Sequence, residues 1–279
     1  MTGFGERVRS TLAQRGPLCV GVDPHPSLLV DWGLPETAAG AREFGLRVVD
    51  AAATAGVGVV KPQVSFFERF GSAGYRALED VLRTARESEL LVIADAKRGD
   101  IGSTMDAYAE AWLRAGSPLE ADALTVSPYL GVGVLASAAS LAYAGDKGLF
   151  VLVATSNPEG VDLQRSRDAS RRTVARRVLD EVTQINAAHV DDGRWGSVGV
   201  VIGATVGWAD AGLAPMSPPA PILAPGFGFQ GAQPGDLGAA FGDSAQTVIA
   251  SESRSLLSAG PGRLAETIRD RSEHYRSRE

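Results

Sequence analysis

The sequence predicts a single (β/α)8 barrel, and three observations predict it. Eight short apolar runs rich in Val, Ile and Leu recur along the 279 residues. Their spacing of roughly 30 residues is the length of one strand–helix unit, and eight such units need about 250 residues. The runs are continuous rather than alternating, as parallel strands covered on both faces require. A doubly wound sheet is the alternative, but it usually has fewer strands and carries a phosphate fingerprint after its first one.

The runs are Leu18–Val22, Val57–Val60, Leu90–Ala94, Ala123–Val126, Leu149–Val153, Val198–Ile202, Pro221–Leu223 and Thr247–Ala250. The stretches between them read as helices. Glu36–Ala55 is amphipathic, with Phe44, Val48, Ala51 and Ala52 on one face. Ser103 is placed to cap a helix running through Tyr108 and Trp112. The uncharged stretch Ala123–Gly145 is long enough to be taken for a membrane span. Its Pro128, its serines and its many small residues point instead to a buried strand, a loop and a buried helix. Ser166–Val190 reads as one arginine-rich helix, and Gly260–Tyr275 closes the chain. Residues 157–195 exceed what a minimal connection needs and read as an elaboration. Neither an internal repeat nor a long linker divides the chain, so one domain is expected over 1–279.

Apolar residues make up 44% and charged residues 22%, close to the globular average. The net charge of −6 offers no broad field for nucleic acid or an anionic membrane. An anionic ligand must therefore be held by locally placed donors. The one cysteine, Cys19, lies between Leu18 and Val20 and reads as a buried strand residue. With no internal disulfide available, the chain suits a reducing, cytoplasmic setting. The opening MTGFGERVRS has no apolar core and is not a signal peptide. His25, His189 and His274 stand in unrelated contexts, without the paired spacing of a zinc site. His25 follows the first strand and reads as a loop residue near the rim. No phosphate-loop signature supports nucleoside triphosphate hydrolysis. Arg165, Arg167, Arg171, Arg172, Arg176 and Arg177 read as a solvated helix face.

Barrels of this kind carry their active sites at the C-terminal ends of the strands. The first run ends in Asp23, the second in Lys61, the third in Asp95 and the fourth in Ser127. The fifth ends in Thr155-Ser156-Asn157, the seventh leads into Pro225–Gly228, and the eighth into Ser253-Arg254. The densest cluster is DAKRGDIGST, Asp95 to Thr104. Residues i and i+2 of a strand share a face, so Asp95 and Lys97 point into one space if strand geometry persists. Asp100 follows a turn at Gly99, and Lys61 comes from the neighbouring strand. Such a quartet of opposite charges costs desolvation and stabilises weakly. At the catalytic end of a barrel, chemistry is the better reading. Gly226-x-Gly228-x-x-Gly231 fits the dinucleotide pattern, but near the C-terminus rather than in a first βαβ unit.

These residues carry a resemblance. DAKRGDI resembles the D-x-K-x-x-D-I signature of the orotidine 5′-phosphate decarboxylase family, and Lys61 in VVKPQVSFFERFG is similar to that family's second-strand lysine. CVGVDP resembles its first-strand aspartate motif, TVSPYLG its fourth-strand serine motif, APGFGFQGA its phosphate loop and SESRSLL its final arginine motif. The resemblance runs, in order, over nearly the whole chain. GVDP, KPQVSFFE, ATSNPEG and the long 157–195 segment resemble the longer bacterial subgroup. Ser253 departs from the pattern, standing where many relatives have glycine.

The resemblance implies a cytoplasmic enzyme that converts orotidine 5′-phosphate to UMP and CO₂, the last step of de novo pyrimidine biosynthesis, with neither metal nor cofactor. It implies a homodimer with shared active sites. Lys97 would stabilise the ring carbanion and then protonate it. Asp95 would crowd the departing carboxylate, and Lys61 would hold Asp95 ionised and reach the ribose. Asp100 would enter the partner's pocket together with Ile101 and Thr104. Asp23 would accept from a ribose hydroxyl, and Ser127 would meet the pyrimidine edge. Gly228 would allow close backbone approach to the phosphate, Gln230 would supply an amide and Arg254 a bidentate fork. The loops after strands seven and eight are the usual phosphate site of such barrels.

Two other functions fit parts of the pattern. Mg²⁺-dependent hexulose-phosphate synthases and keto-gulonate-phosphate decarboxylases also resemble D-x-K-x-x-D, but carry an acidic residue where Lys61 stands. Two ammonium groups beside two carboxylates make a poor magnesium cage. A barrel that merely binds a phosphorylated sugar would gain nothing from a buried charge quartet that neutral donors could not give.

Overall fold

In the computed structural model, which describes residues 2–277, eight parallel strands close on themselves. They are β1 (Leu18–Val22), β2 (Val59–Pro62), β3 (Leu91–Arg98), β4 (Ala123–Val126), β5 (Gly148–Ala154), β6 (Val198–Ile202), β7 (Ile222–Pro225) and β8 (Val248–Glu252). Each pairs with the next in sequence, and β8 returns to β1. A closed barrel removes the doubly wound alternative.

Strand alternation explains what the barrel does with its residues. Cys19, Val59, Leu91, Ile93, Ala123, Phe150, Val201, Leu223 and Ile249 form one apolar cluster inside the barrel. Their neighbours, such as Val20, Val60, Val92, Leu124 and Val151, belong to a second cluster that packs under the helices. Two residues further along, the inward positions turn polar: Lys61 after Val59, Asp95 after Ile93, Thr125 after Ala123 and Ser251 after Ile249. The apolar interior thus ends in a polar layer at the C-terminal mouth. Strands β2, β3 and β8 run past their apolar stretches because the ladder needs only backbone groups. The Cys19 thiol is buried as expected, and burial pushes it up to about 12.

The opposite mouth is closed by a helix, Phe4–Arg15, that the apolar pattern did not reveal. Phe4 is fully buried, packs edge-on against Phe150 and covers Gly148, where any side chain would collide with its ring. The opening residues therefore serve the core.

Several boundaries differ from expectation. The amphipathic helix over Glu36–Ala55 spans Ala38–Thr54, because Thr37 caps it by accepting from Gly40 N at 3.3 Å. Ser103 caps nothing: the helix begins at Gly102 behind Ile101, so Ser103 lies within its first turn. Of Ser166–Val190 only Val174–Ala187 is helical, with Thr173 as its cap. A turn in which Asp168 accepts from Ser170 N and Arg172 N precedes it, and a separate helix, Pro158–Arg165, lies before that turn. Arginines of this region pair on the surface, Arg176 with Asp180 and Arg177 with Glu181. The closing helix spans Leu264–Ser277. Ala123–Gly145 folds as β4, a loop with a 3-10 turn, and the helix Ala136–Ala144. Among the described residues no helix is long and apolar enough to cross a membrane.

Candidate active site

The mouth of the barrel holds a cavity of about 470 Å³. Asp23, Lys61, Asp95, Lys97, Gln230 and Arg254 line it, drawn from five different strands or the loops that follow them. At its centre is the buried carboxylate of Asp95. Lys61 Nζ donates to Oδ2 at 2.9 Å and Lys97 Nζ to Oδ1 at 2.6 Å, so the two ammonium groups hold opposite oxygens. Burial alone would raise the Asp95 pKa; Lys61 and Lys97 outweigh it and hold the carboxyl well below the usual carboxylate range. For Lys61, burial favours the neutral amine, but Asp95 and Asp23 outweigh it and hold the ammonium above the usual lysine range. Both groups are therefore ionised around neutral pH.

The route of β3 to this arrangement is irregular. Ala94 pairs with Leu124 and Arg98 with Val126, so four residues of β3 advance against two of β4. Lys97 sits in this extra length with a left-handed φ of 50°. Strand geometry does not persist between Asp95 and Lys97, yet their side chains meet. Two anchors fix the detour. Thr125 Oγ1 accepts from Lys97 N at 2.9 Å and donates to Asp95 Oδ1 at 2.9 Å. Arg98 turns outward to Glu68 and stacks 5.6 Å from the ring centre of Tyr108. Thr125 is a site residue that motif reading passed over. Its signal was positional: it lies two residues beyond the inward Ala123.

Asp23, at the end of β1, is half-buried, and its Oδ1 is a buried acceptor without a hydrogen-bond partner among the described residues. His25 also borders the cavity, and its Nδ1 accepts from Ser27 N at 3.3 Å as the cap of the helix Pro26–Asp31. At the other end, the loop after β7 brings Gly226, Phe227, Phe229 and Gln230 to the cavity. Gly228 does not face it. Its φ is 71°, and a Cβ there would overlap Ser255 Oγ and Glu252 Oε2. Packing beneath the loop is thus by itself a reason for glycine here.

That underside centres on Glu252, a buried carboxylate the sequence reading did not single out. It accepts from Ser255 Oγ and Tyr275 Oη, each at 2.7 Å, and pairs with Arg271 at 3.3 Å. Ser253 takes φ −135°, so no left-handed backbone demands glycine there.

The remaining expected residues lie outside the cavity. Ser127 is half-buried on the rim, donating its N–H to Arg98 O at 2.8 Å, with Gly99 packed against it. Asp100 is also half-buried, and its Oδ1 accepts from Ile101 N at 2.8 Å. Ile101 is 61% exposed, and Thr104 faces outward from the first turn of the next helix. The exposed Tyr129 and Leu130 follow Ser127 on the adjoining loop. Among the described residues, no group of three or more His, Cys, Asp or Glu stands close enough to hold a metal ion.

The chain is similar to known proteins in both sequence and fold. The family model described as orotidine 5′-phosphate decarboxylase / HUMPS family matches residues 16–265. An orotidine 5′-phosphate decarboxylase of Salinispora tropica is 51% identical over 95% of this chain and 93% of its own length. One from Corynebacterium efficiens is 48% identical over 92% of this chain and 91% of its own. A crystal structure from Streptomyces avermitilis, provisionally named for the same activity, superposes with a TM-score of 0.93 at 46% identity, covering 100% of this chain and 96% of that one. The Leishmania donovani OMP decarboxylase superposes with a TM-score of 0.78 at 30% identity, covering 99% and 98%.

Proposed function

Because the chain belongs to the orotidine 5′-phosphate decarboxylase / HUMPS family, we propose that its cavity converts orotidine 5′-phosphate to UMP and CO₂ by the following division of labour. The observation that carries it is one buried carboxylate clamped by two lysines, one of them at the cavity surface. When the substrate carboxylate lies beside Asp95, two like charges crowd, and loss of CO₂ relieves them. The carbon–carbon bond breaks, the electron pair stays on the ring carbon, and the Lys97 ammonium faces it. That ammonium stabilises the developing charge and transfers a proton to the same carbon. Lys97 is then reprotonated from solvent. Lys61 keeps Asp95 ionised throughout.

The rest of the cavity holds the nucleotide. The unpartnered Oδ1 of Asp23 takes a ribose hydroxyl, Ser127 meets the pyrimidine edge from the rim, and Gln230 and Arg254 take the phosphate. Asp100, Ile101 and Thr104 serve the neighbouring subunit of a homodimer. Support for the dimer is the outward-facing tip of their loop beside exposed Tyr129 and Leu130. The chain reads as one domain, with 157–195 elaborating the connection from β5 to β6, working in the cytoplasm on a small molecule rather than on nucleic acid. The Mg²⁺-dependent reading is disfavoured by Lys61, an ammonium on Asp95 where a carboxylate ligand would have to stand.

The test is turnover. Purified protein incubated with orotidine 5′-phosphate loses the orotate chromophore and yields UMP, with or without a chelator. Activity that disappears on chelation and returns with Mg²⁺ moves the chain to the synthase reading.

A further inference from the structure

The Arg254 guanidinium stands out because it lies over an aromatic ring and, among the described residues, meets no hydrogen-bond acceptor. It lies 4.3 Å from the ring centre of Phe229. Among the described residues its hydrogen bonds run through backbone atoms, as in Ser258 Oγ to Arg254 O at 2.8 Å. Guanidinium N–H groups lie in the plane and point outward. Contact with an aromatic face therefore restrains the group and leaves its donors available. Phe229 is itself unusual, a large apolar side chain 64% exposed at the cavity edge.

The two residues are also held by one substructure. Phe229 is the middle of the 3-10 turn Gly228–Gln230, closed by Gly228 N to Ala232 O at 2.7 Å and Ala232 N to Gly226 O at 3.2 Å. Gly228 rests on Glu252 and Ser255, which flank Arg254 in sequence. Glu252 is 1% exposed and anchored by Tyr275 and Arg271. The loop carrying Phe229 thus packs on Glu252, the buried last residue of the strand that leads into Arg254.

We propose that Phe229 is the positioning residue for Arg254, holding its guanidinium flat with its N–H edge turned to the nucleotide's phosphate. The inference rests on the reading of Arg254 as the phosphate ligand. A free arginine would lose much rotamer freedom on binding. One already stacked loses less, so the aromatic ring contributes affinity through pre-organisation. The effect is confined to phosphorylated ligands, and it is shared by ground and transition states.

The experiment measures UMP and uridine dissociation constants, with kcat and KM, for wild type, Phe229→Leu, Phe229→Tyr, Arg254→Ala and the Phe229→Leu/Arg254→Ala double variant. Phe229→Leu is expected to weaken UMP about two- to fivefold, the size of an exposed cation–π contact. Uridine binding and kcat should stay unchanged while KM rises. Phe229→Tyr should restore wild-type affinity. In the Arg254→Ala background, Phe229→Leu should add nothing, since the pair is then already broken. If Arg254→Ala loses UMP selectively but Phe229→Leu binds it like wild type, or weakens it equally in both backgrounds, the positioning role is wrong and the phosphate reading stands. If Arg254→Ala weakens UMP and uridine alike, the phosphate reading itself fails.

Discussion

Lys97 Nζ lies 2.6 Å from Asp95 Oδ1 although the Lys97 backbone is left-handed, at φ 50°. For an L-residue with a long side chain that conformation costs about 1–2 kcal/mol. It persists because the surroundings over-determine it: Thr125 receives the Lys97 N–H, and Arg98 is drawn outward to Glu68. Strain of this kind gathers where a side chain must be aimed. Here the two additional residues of β3 carry the ammonium over the cavity instead of leaving it on the strand.

The strain makes a prediction that separates stability from activity. Lys97→Ala and Lys97→Gly both remove the ammonium proposed as proton donor, so each should lose at least about 100-fold in kcat. Their stabilities should differ. Ala keeps the left-handed cost and Gly relieves it, so Lys97→Gly should be more stable than Lys97→Ala by about 1 kcal/mol in urea unfolding. Equal stabilities would mean that the Lys97 backbone is unstrained.

The Asp95–Lys61 pair predicts a pH signature. Asp95 is held below the ordinary carboxylate range by its two lysines against the pull of burial. Its contribution to folding is therefore complete above the unfolded value of about 3.9 and is lost as pH falls through the folded value. Lys61 has the opposite sign: raised in the folded protein, it contributes fully below about 10.4 and is lost as pH rises through its folded value. At neutral pH, Asp95→Asn leaves the Lys61 ammonium buried without its counter-ion and should cost about 3–5 kcal/mol. Below about pH 4 that gap should narrow, by up to about 1.4 kcal/mol per pH unit. Unfolding free energies of both proteins from pH 7 to pH 2 check it. A gap that stays constant would show that Asp95 titrates normally.

Thr125 gives a third prediction. Its hydroxyl joins Lys97 N to Asp95. Thr125→Val keeps the shape and removes both hydrogen bonds, one of them to a charged acceptor. Loss of about 1.5–3 kcal/mol should appear mainly as a fall in kcat of roughly 10- to 100-fold, with KM little changed, because the aim of Lys97 is disturbed and not the nucleotide contacts. Thr125→Ser should recover most of it. A Val variant with wild-type kcat would reduce Thr125 to a packing residue.

The contrast between Thr125 and Asp95 indicates what a sequence can reveal. Apolar runs were readable because burial on both faces of parallel strands leaves a continuous compositional mark, and charged residues at or just beyond the ends of those runs stood out against it. Lys61, Asp95 and Lys97 were found that way. Thr125 carries no charge and continues its run unnoticed. Glu252 was hidden differently: only the folded chain shows that Tyr275, Arg271 and Ser255 surround it. The Phe4 helix escaped because its apolar stripe, Phe4, Val8 and Leu12, is sparse within an otherwise polar stretch. The late start of the helix expected over 166–190 depended on Asp168 and Thr173 taking local backbone N–H groups, which an arginine-rich composition conceals. Gly228 was read from its motif alone, and the packing of Glu252 and Ser255 beneath it, a further reason for glycine, shows only in the folded chain.

The last prediction concerns the loop that leaves the site. Asp100 lies three residues beyond Lys97, yet its carboxylate turns back to Ile101 N on the rim rather than into the cavity that Lys97 lines. Beside it, Ile101 and the neighbouring Tyr129 and Leu130 are exposed. An isologous contact across this rim would bury that apolar surface and carry each Asp100 toward the partner's cavity, making two equal sites. Complementation tests the arrangement. Homodimers of Lys97→Ala and of Asp100→Ala should each be nearly inactive. After subunit exchange, half the dimers are hybrids in which one site carries both lesions and the other carries neither. Mixed samples should therefore recover about a quarter of wild-type activity. If exchange is demonstrated, for example with differently labelled subunits, and activity stays at the level of the separate variants, then Asp100 acts within its own subunit. The shared-site arrangement is then wrong.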